Sequence, residues 1–582
     1  MKLPQSLDLL QSRAQVGATL EKGNKGPSVH ALQMLLYSLG YATELNWNLY
    51  RADGGYGGST TAAVQAFLKN NSRSGNGETV DAELLRLMLD RQALIPDLRL
   101  LKQHLDANNL PQLDASVTAR LLGATGITVD ASQIDNALKD FSAKLGAPFS
   151  GGGLNQLLAK ALFAQISKGY GADWQKAAQA GESAQRKLTD HEIVNRNNGF
   201  KVLDDWLSVN FVKAKAGVYT YGEALPSEFI RQYRDALIRH GLSESAVRVL
   251  LPVSANEGNL DAVNTWDDCY MTFGMFQWTL GQNNNPGELA GLIKRIKEEE
   301  PEAFQENFGR YGLDVVDTKN TTGYLSLNGQ KIATASQKTA LRDLGWAFRF
   351  WRAGLDPRVQ VVQLKHAIDR INAFRDHPDY MPLDKYKIEE LITSEYGMCL
   401  ILDHSVNRPG HLMRFAIGKN DILGRAMKNA GLADSDPKTW TTAEETKLIE
   451  AYLPLRAASS MTHGAERAAK ILAMANKSEL SKERHSFQMP KVETTRTRSL
   501  SALPAPEVAY PRVDPEEYEQ RTALPDDDKK SKKDKGKQKK KDKDKKRDKK
   551  KDKAKNKKQD KASKKKEAKK KDRKKTAKEK KK

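Results

Sequence analysis

The chain has 582 residues and a formal net charge of +22, from 95 Lys and Arg against 73 Asp and Glu. That length exceeds one ordinary domain and predicts two to four. Between Asp526 and Lys582 stand 34 basic and 12 acidic residues, which leaves 61 of each in residues 1–525; a formally neutral body argues against a basic nucleic-acid-binding face on the fold.

The N-terminal residues, MKLPQSLDLLQSRAQVG, lack the apolar core of a secretory signal. No later window approaches 18 uninterrupted apolar residues, so no membrane span is expected. The expectation is a chain made in the cytoplasm without a Sec signal. Residues 15–92 form the first compositional region. Val29, Leu32, Leu35, Leu36 and Leu39 fall at helical spacing, with Ser28 as the expected cap and Gly40 as the expected stop. A Gly-rich turn follows at Asp53-Gly54-Gly55-Tyr56-Gly57, then helices over about 59–69 and 82–90.

The pieces Leu20, Gly23, Gly26-Pro27, Val29 and Leu32-Gln33, the Asp53–Gly57 turn, and Thr60-Thr61-Ala62-Ala63-Val64 with Phe67 resemble the peptidoglycan-binding module of cell-wall hydrolases. The resemblance implies a small three-helix domain that grips wall glycan, with Asp53 and Tyr56 among its contact residues. A structural docking module that never touches glycan is the alternative.

Residues 93–225 give only a helical reading, with Leu154, Leu157, Leu158, Leu162 and Phe163 at helical spacing and a loop at Gly151–Gly153. No function follows from that pattern.

Residues 226–476 hold most of the Trp, Phe and Met. A helix is expected over 243–256, capped by Ser243, holding Pro252 and stopping at Glu257-Gly258. The alternating segment Met271–Trp278 reads as a strand or hairpin. Glycosidic cleavage needs a carboxylic acid still protonated near neutral pH. A Glu ending an apolar helix beside Trp266, Phe273, Phe276 and Trp278 can be desolvated, and the helix C-terminus pushes its pKa the same way. Glu257 is therefore the candidate acid. Asp267, Asp268 and Asp403 are candidates for a second carboxylate, with a turn or cap role as the alternative for Asp267 and Asp268. Trp346, Phe350 and Trp351 read as core.

Glu257-Gly258-Asn259, Ala262-Val263-Asn264 and Phe273-Gly274-Met275-Phe276-Gln277 resemble the lysozyme-like superfamily, within it the lytic transglycosylase and goose-type lysozyme pattern. A phage-type lysozyme pattern also fits in part: Thr272 lies 15 residues after Glu257, and Asp267 one place later than that pattern has it. The resemblance implies a mainly α fold: a larger helical lysozyme-like domain with a small β-sheet behind the small binding module. It implies a peptidoglycan glycan-strand hydrolase or lytic transglycosylase with Asn264, Thr272, Phe273 and Gln277 around the sugar. His404 and Asn407, in the polar end of the 392–410 segment, join as substrate-binding candidates by position. Chitosan or chitin hydrolysis is a further reading on the same fold. A non-catalytic wall-binding component of a phage tail or contractile injection apparatus is another.

No His or Cys spacing suits a metal, so neither metal nor cofactor is expected. Two cysteines, Cys269 and Cys399, read as small buried apolar residues. Residues 477–525 read as a linker punctuated by Pro490, Pro504, Pro506, Pro511, Pro515 and Pro525. Residues 526–582 read as a disordered Lys-rich tail, either merely solvated or attached to an anionic polymer or envelope surface. Without a Sec signal, action at the wall would need phage or secretion machinery for delivery.

Overall fold

The computed structural model describes residues 6–489 except 111–112, 128, 130, 181–190, 240–241, 320, 376–380 and 409–420. The expectations for 490–582, including the Lys-rich tail, lie outside the described residues, as does the Glu257 side chain. The fold is mainly helical, 55% helix and 11% strand with small sheets. No helix among the described residues is long and apolar enough to cross a membrane.

Two hydrophobic cores organise it. The first gathers Val29, Leu32, Leu36, Val64, Phe67, Leu85 and Met88 with Leu98, Leu121, Leu138, Phe141, Leu162 and Trp174. Its helices include Pro27–Ser38, Gly58–Asn70, Ala82–Ala93, Ile95–Asp106, Ile134–Leu145 and Gln156–Ser167. Strand β1 (Leu20–Glu21) pairs with β2 (Thr79–Val80). The N-terminal helices therefore share one apolar interior with those of residues 93–177. Pro27, not Ser28, opens the first of these helices, with Gly26 as cap; Ser28 is buried and accepts from Arg13. Gly40 ends it with φ 94°, and a β-carbon there would collide with the Gly171 and Trp174 backbone.

The mostly helical reading of 93–225 holds for its first part, whereas residues 192–220 form strands. Strands β3 (Glu192–Arg196), β4 (Gly199–Leu203), β5 (Ser208–Lys213) and β6 (Val218–Thr220) form an antiparallel meander. It continues through β7 (Val263–Asn264), β8 (Thr272–Phe273) and β9 (Trp278–Thr279) into a seven-stranded sheet. Helical periodicity fails here because β4 is buried along its whole length, so no alternation marks it. A second sheet joins β10 (Leu313–Lys319), β11 (Thr322–Leu327) and β12 (Gln330–Ile332).

The larger core joins the seven-stranded sheet to helices Glu244–Glu257, Glu288–Glu299, Leu344–Gly354, Pro357–Arg375 and Glu395–Asn407. Trp346, Phe350, Trp351 and Cys399 are buried in it, while Cys269 is only half-buried. The core extends past 476, which corrects the start of the linker. Leu480 and Phe487 are buried, and Arg484 donates to Glu445 and to the Leu391, Glu390 and Pro437 carbonyls. Gln488 exchanges bonds with the first turn of the Glu244–Glu257 helix: its N–H donates to Ser245 at 3.0 Å and its carbonyl accepts from Ser243 at 2.5 Å.

The two cores are stitched together. Ala52 pairs with Leu207 in a parallel bridge, Ser208 donates to the Ala52 and Tyr50 carbonyls, and Arg51 donates to the Asp204 carbonyl.

Candidate functional site

The Glu244–Glu257 helix starts where Ser243 accepts the Ala246 N–H at 3.0 Å. Pro252 lies inside it. Gly258 ends it in extended backbone, so its φ is not the reason for glycine there. Close packing is: a β-carbon on Gly258 would lie 3.0 Å from Ala262 Cβ and 3.0 Å from Gln277 Nε2.

Of those two neighbours, Ala262 adjoins β7 and Gln277 lies in the turn between β8 and β9. Ladder partners share a face, and neighbours along a strand alternate. Val263, Phe273 and Trp278 form one paired row, and all three are core. Tyr219, Asn264, Thr272 and Thr279 form the row on the opposite face. Ala262, next to Val263, alternates onto this second face, while Gln277 belongs to the turn between β8 and β9. Tyr221 and Trp266, each two positions beyond a member of the row, are 74% and 45% exposed.

Gln277 holds a positive φ of 50° and donates from Nε2 to the Gly274 carbonyl at 2.9 Å. Asn264 donates to Asp267 at 2.8 Å and accepts from the Trp266 N–H. Thr272 is 3% exposed, and its hydroxyl has no hydrogen-bond partner. Asn256, next to Glu257, also keeps its side-chain oxygen unpartnered. Buried polar atoms are normally satisfied, and ordered water is the usual partner for two such enclosed groups.

The expected second carboxylates separate. Asp267 forms a turn, accepting from Asn264 and from the Cys269 N–H at 2.9 Å. Asp268 is exposed. Asp403 is fully buried between two guanidiniums: Arg456 at 2.5 Å on one oxygen, Arg467 at 2.6 and 3.0 Å on both, with Asn256 adding a fourth bond at 3.1 Å. A carboxylate engaged this fully is not free to activate water, which withdraws Asp403 from that role.

Other expected contact residues are enclosed. Phe273 is wholly buried against Phe350. His404 is wholly buried, with Nδ1 2.6 Å from the Tyr452 hydroxyl. Asn407 accepts the Thr462 N–H. Tyr56 is buried and donates to the Gly77 carbonyl, so its ring offers no ligand surface. Asp53 accepts from Gln33 and from the Gly55 N–H, fixing its own turn.

Four residues that shape the site were not read from the sequence. Gln363 bridges its two sides, donating to the Leu260 carbonyl and accepting the Met275 N–H. Arg342 donates to the Ala216, Trp266 and Asp267 carbonyls and lies over the Tyr270 ring. Asp261 is fully buried and accepts backbone N–H groups from Glu223 and Ala224; burial raises its pKa. Burial also raises the Glu223 carboxyl, which lies 3.5 Å from Lys25. A polar residue inside an apolar run was the only signal for Gln363 and Asp261.

Among the described residues, no group of three or more His, Cys, Asp or Glu is placed to hold a metal ion. No family model, curated protein or solved structure matches this chain.

Proposed function

We propose that the chain cuts the glycan strand of peptidoglycan, with Glu257 as the general acid of a lysozyme-like catalytic domain and the N-terminal helices as a peptidoglycan-binding-like module. The observation that carries this reading is the close packing of the Glu257–Gly258 helix end against Ala262 and Gln277, beside strands β7 to β9. The reading requires a proton donor at this helix end on one side of a bound sugar and polar contacts on the other.

Asp403 is withdrawn and Asp267 shapes a turn. Unless exposed Asp268 serves, the reading therefore favours internal attack by a substrate hydroxyl, the lytic transglycosylase outcome. The test is incubation of purified sacculi and of chitin oligomers with the full chain, with product masses read. Anhydro-ended muropeptides support transglycosylation and reducing ends support hydrolysis. Cleavage of chitin alone moves the substrate to chitin. No release from either substrate leaves a wall-binding component.

Tyr221 and Trp266 flank the polar row and are exposed, which suits the proposed stacking on sugar rings. Trp266→Ala is expected to raise KM roughly fivefold with kcat nearly unchanged, the loss of about 1 kcal/mol of uniform binding. A lowered kcat at constant KM would remove Trp266 from simple substrate binding. For the 34 basic residues between Asp526 and Lys582, we propose electrostatic attachment to an anionic envelope after delivery by phage or secretion machinery. Deleting 526–582 is expected to leave cleavage of soluble fragments intact and to weaken sacculus binding at low salt only. Binding that is unchanged at every salt concentration would refute this.

A further inference from the structure

We infer that Asp403, Arg467 and Asn256 form a clamp that sets the last turn of the Glu244–Glu257 helix, making them positioning residues for Glu257. The inference rests on the reading of Glu257 as the acid. It begins with two matched rungs between the Glu244–Glu257 and Glu395–Asn407 helices. Arg248 meets Glu395 at 2.6 Å and Asn256 meets Asp403 at 3.1 Å. Both pairs are 147 residues apart in sequence. The helices are therefore parallel, with rungs about 12 Å apart along them.

The rungs differ in kind. The first is an ion pair at a partly exposed end, with the Arg248 side chain 43% accessible. The second is sealed: Asp403 and Arg456 are 0% accessible and Arg467 is 8%. One guanidinium offsets the cost of burying Asp403 only if the carboxylate's remaining lone pairs are also bonded. The structure adds a second, and Arg467 uses its remaining reach on the Asn256 carbonyl at 3.2 Å.

That carbonyl is one the helix cannot satisfy. Its regular partner would be the Leu260 N–H, but Leu260 donates to Ala224 instead. Arg467, on the Gly464–Asn476 helix, takes its place. It thereby fixes the peptide leading into Glu257 against a carboxylate on a third helix.

The experiment compares Arg467→Lys and Asn256→Ala with wild type on sacculi, reading kcat and KM per folded molecule beside the melting temperature. Lysine keeps the charge near Asp403 but loses the fork that reaches both oxygen sites. Asn256→Ala removes one rung at a half-buried position and leaves the ion cluster whole, so it decides the matter should the lysine variant fold poorly. Each variant is expected to lower kcat about tenfold or more with KM within twofold, as a displaced catalytic group does. Asn256→Gln is expected to recover less than half of that loss, because the longer side chain shifts the rung. Lowered melting temperatures with unchanged kcat in both variants would overturn the inference and leave a structural staple. Failure of the underlying reading is distinct: Glu257→Gln would then cut as fast as wild type.

Discussion

Replacing Glu257 by glutamine is expected to slow glycan cleavage by about 10²- to 10⁴-fold, the usual contribution of a positioned proton donor. Glutamine keeps the length and the hydrogen-bonding capacity of the side chain but cannot give up a proton to the bridging oxygen. The helix terminus itself depends on groups that the substitution leaves alone. Gly258 closes the last turn on the Ser254 carbonyl, Arg467 holds the Asn256 carbonyl, and Gln277 packs on Gly258. The melting temperature and sacculus binding should therefore match wild type. Soluble muropeptide release, measured with binding in the same samples, checks this. Equal release by the two proteins would remove the acid role and leave wall recognition.

Acidification should unfold the protein well before its carboxylates are exhausted. His30 is buried, with Nδ1 donating to the Ala52 carbonyl, and burial pushes its pKa down to about 4, against a smaller opposing pull from Asp53. His366 is buried edge-on to Trp278; burial, reinforced by the Arg295 and Arg370 guanidiniums, pushes it down to about 3. In the unfolded chain both titrate near 6.5. On falling pH the unfolded state thus takes up protons that the folded state refuses. The stability these neutral histidines hold above pH 6.5 is lost as pH falls toward 4 and 3.

The slope is at most about 1.4 kcal/mol per pH unit for each histidine, or roughly 3 kcal/mol from each by pH 4. Raised carboxyls such as Asp261 and Glu223 act in the opposite sense, since the folded state protonates them first. Comparing variants isolates the histidine share. Urea unfolding of wild type, His30→Gln and His366→Phe at pH 7, 5.5 and 4 should show a shallower loss in each variant. Parallel curves for all three proteins would sink the assignment.

Local signals carried much of the fold. Ser243 was legible as a cap, and the apolar spacing of residues 29–39 located a helix that runs over Pro27–Ser38. The Met271–Trp278 hairpin was legible from alternation and a glycine. The β3–β4 hairpin was not, although Asn197-Asn198-Gly199 is a turn signal; fully buried β4 gave no period to confirm it. The site was legible as far as its helix and hairpin. The fate of Asp403 was not, because Arg456 and Arg467 come from 53 and 64 residues further on. An ion cluster closed by tertiary packing leaves no spacing to read. The Tyr56 ring illustrates the same limit: a motif position marks a fold, while burial decides whether the side chain faces solvent.

The return of Gln488 to Ser243 and Ser245 has a mechanical consequence. The chain leaves the described fold at Met489, beside the first turn of the helix whose last residue is Glu257. Fourteen helical residues separate the two ends, a rod of about 20 Å. Traction on the chain beyond Met489 would therefore be applied to the base of that rod, and on the proposed reading the acid sits about 20 Å from the point of pull.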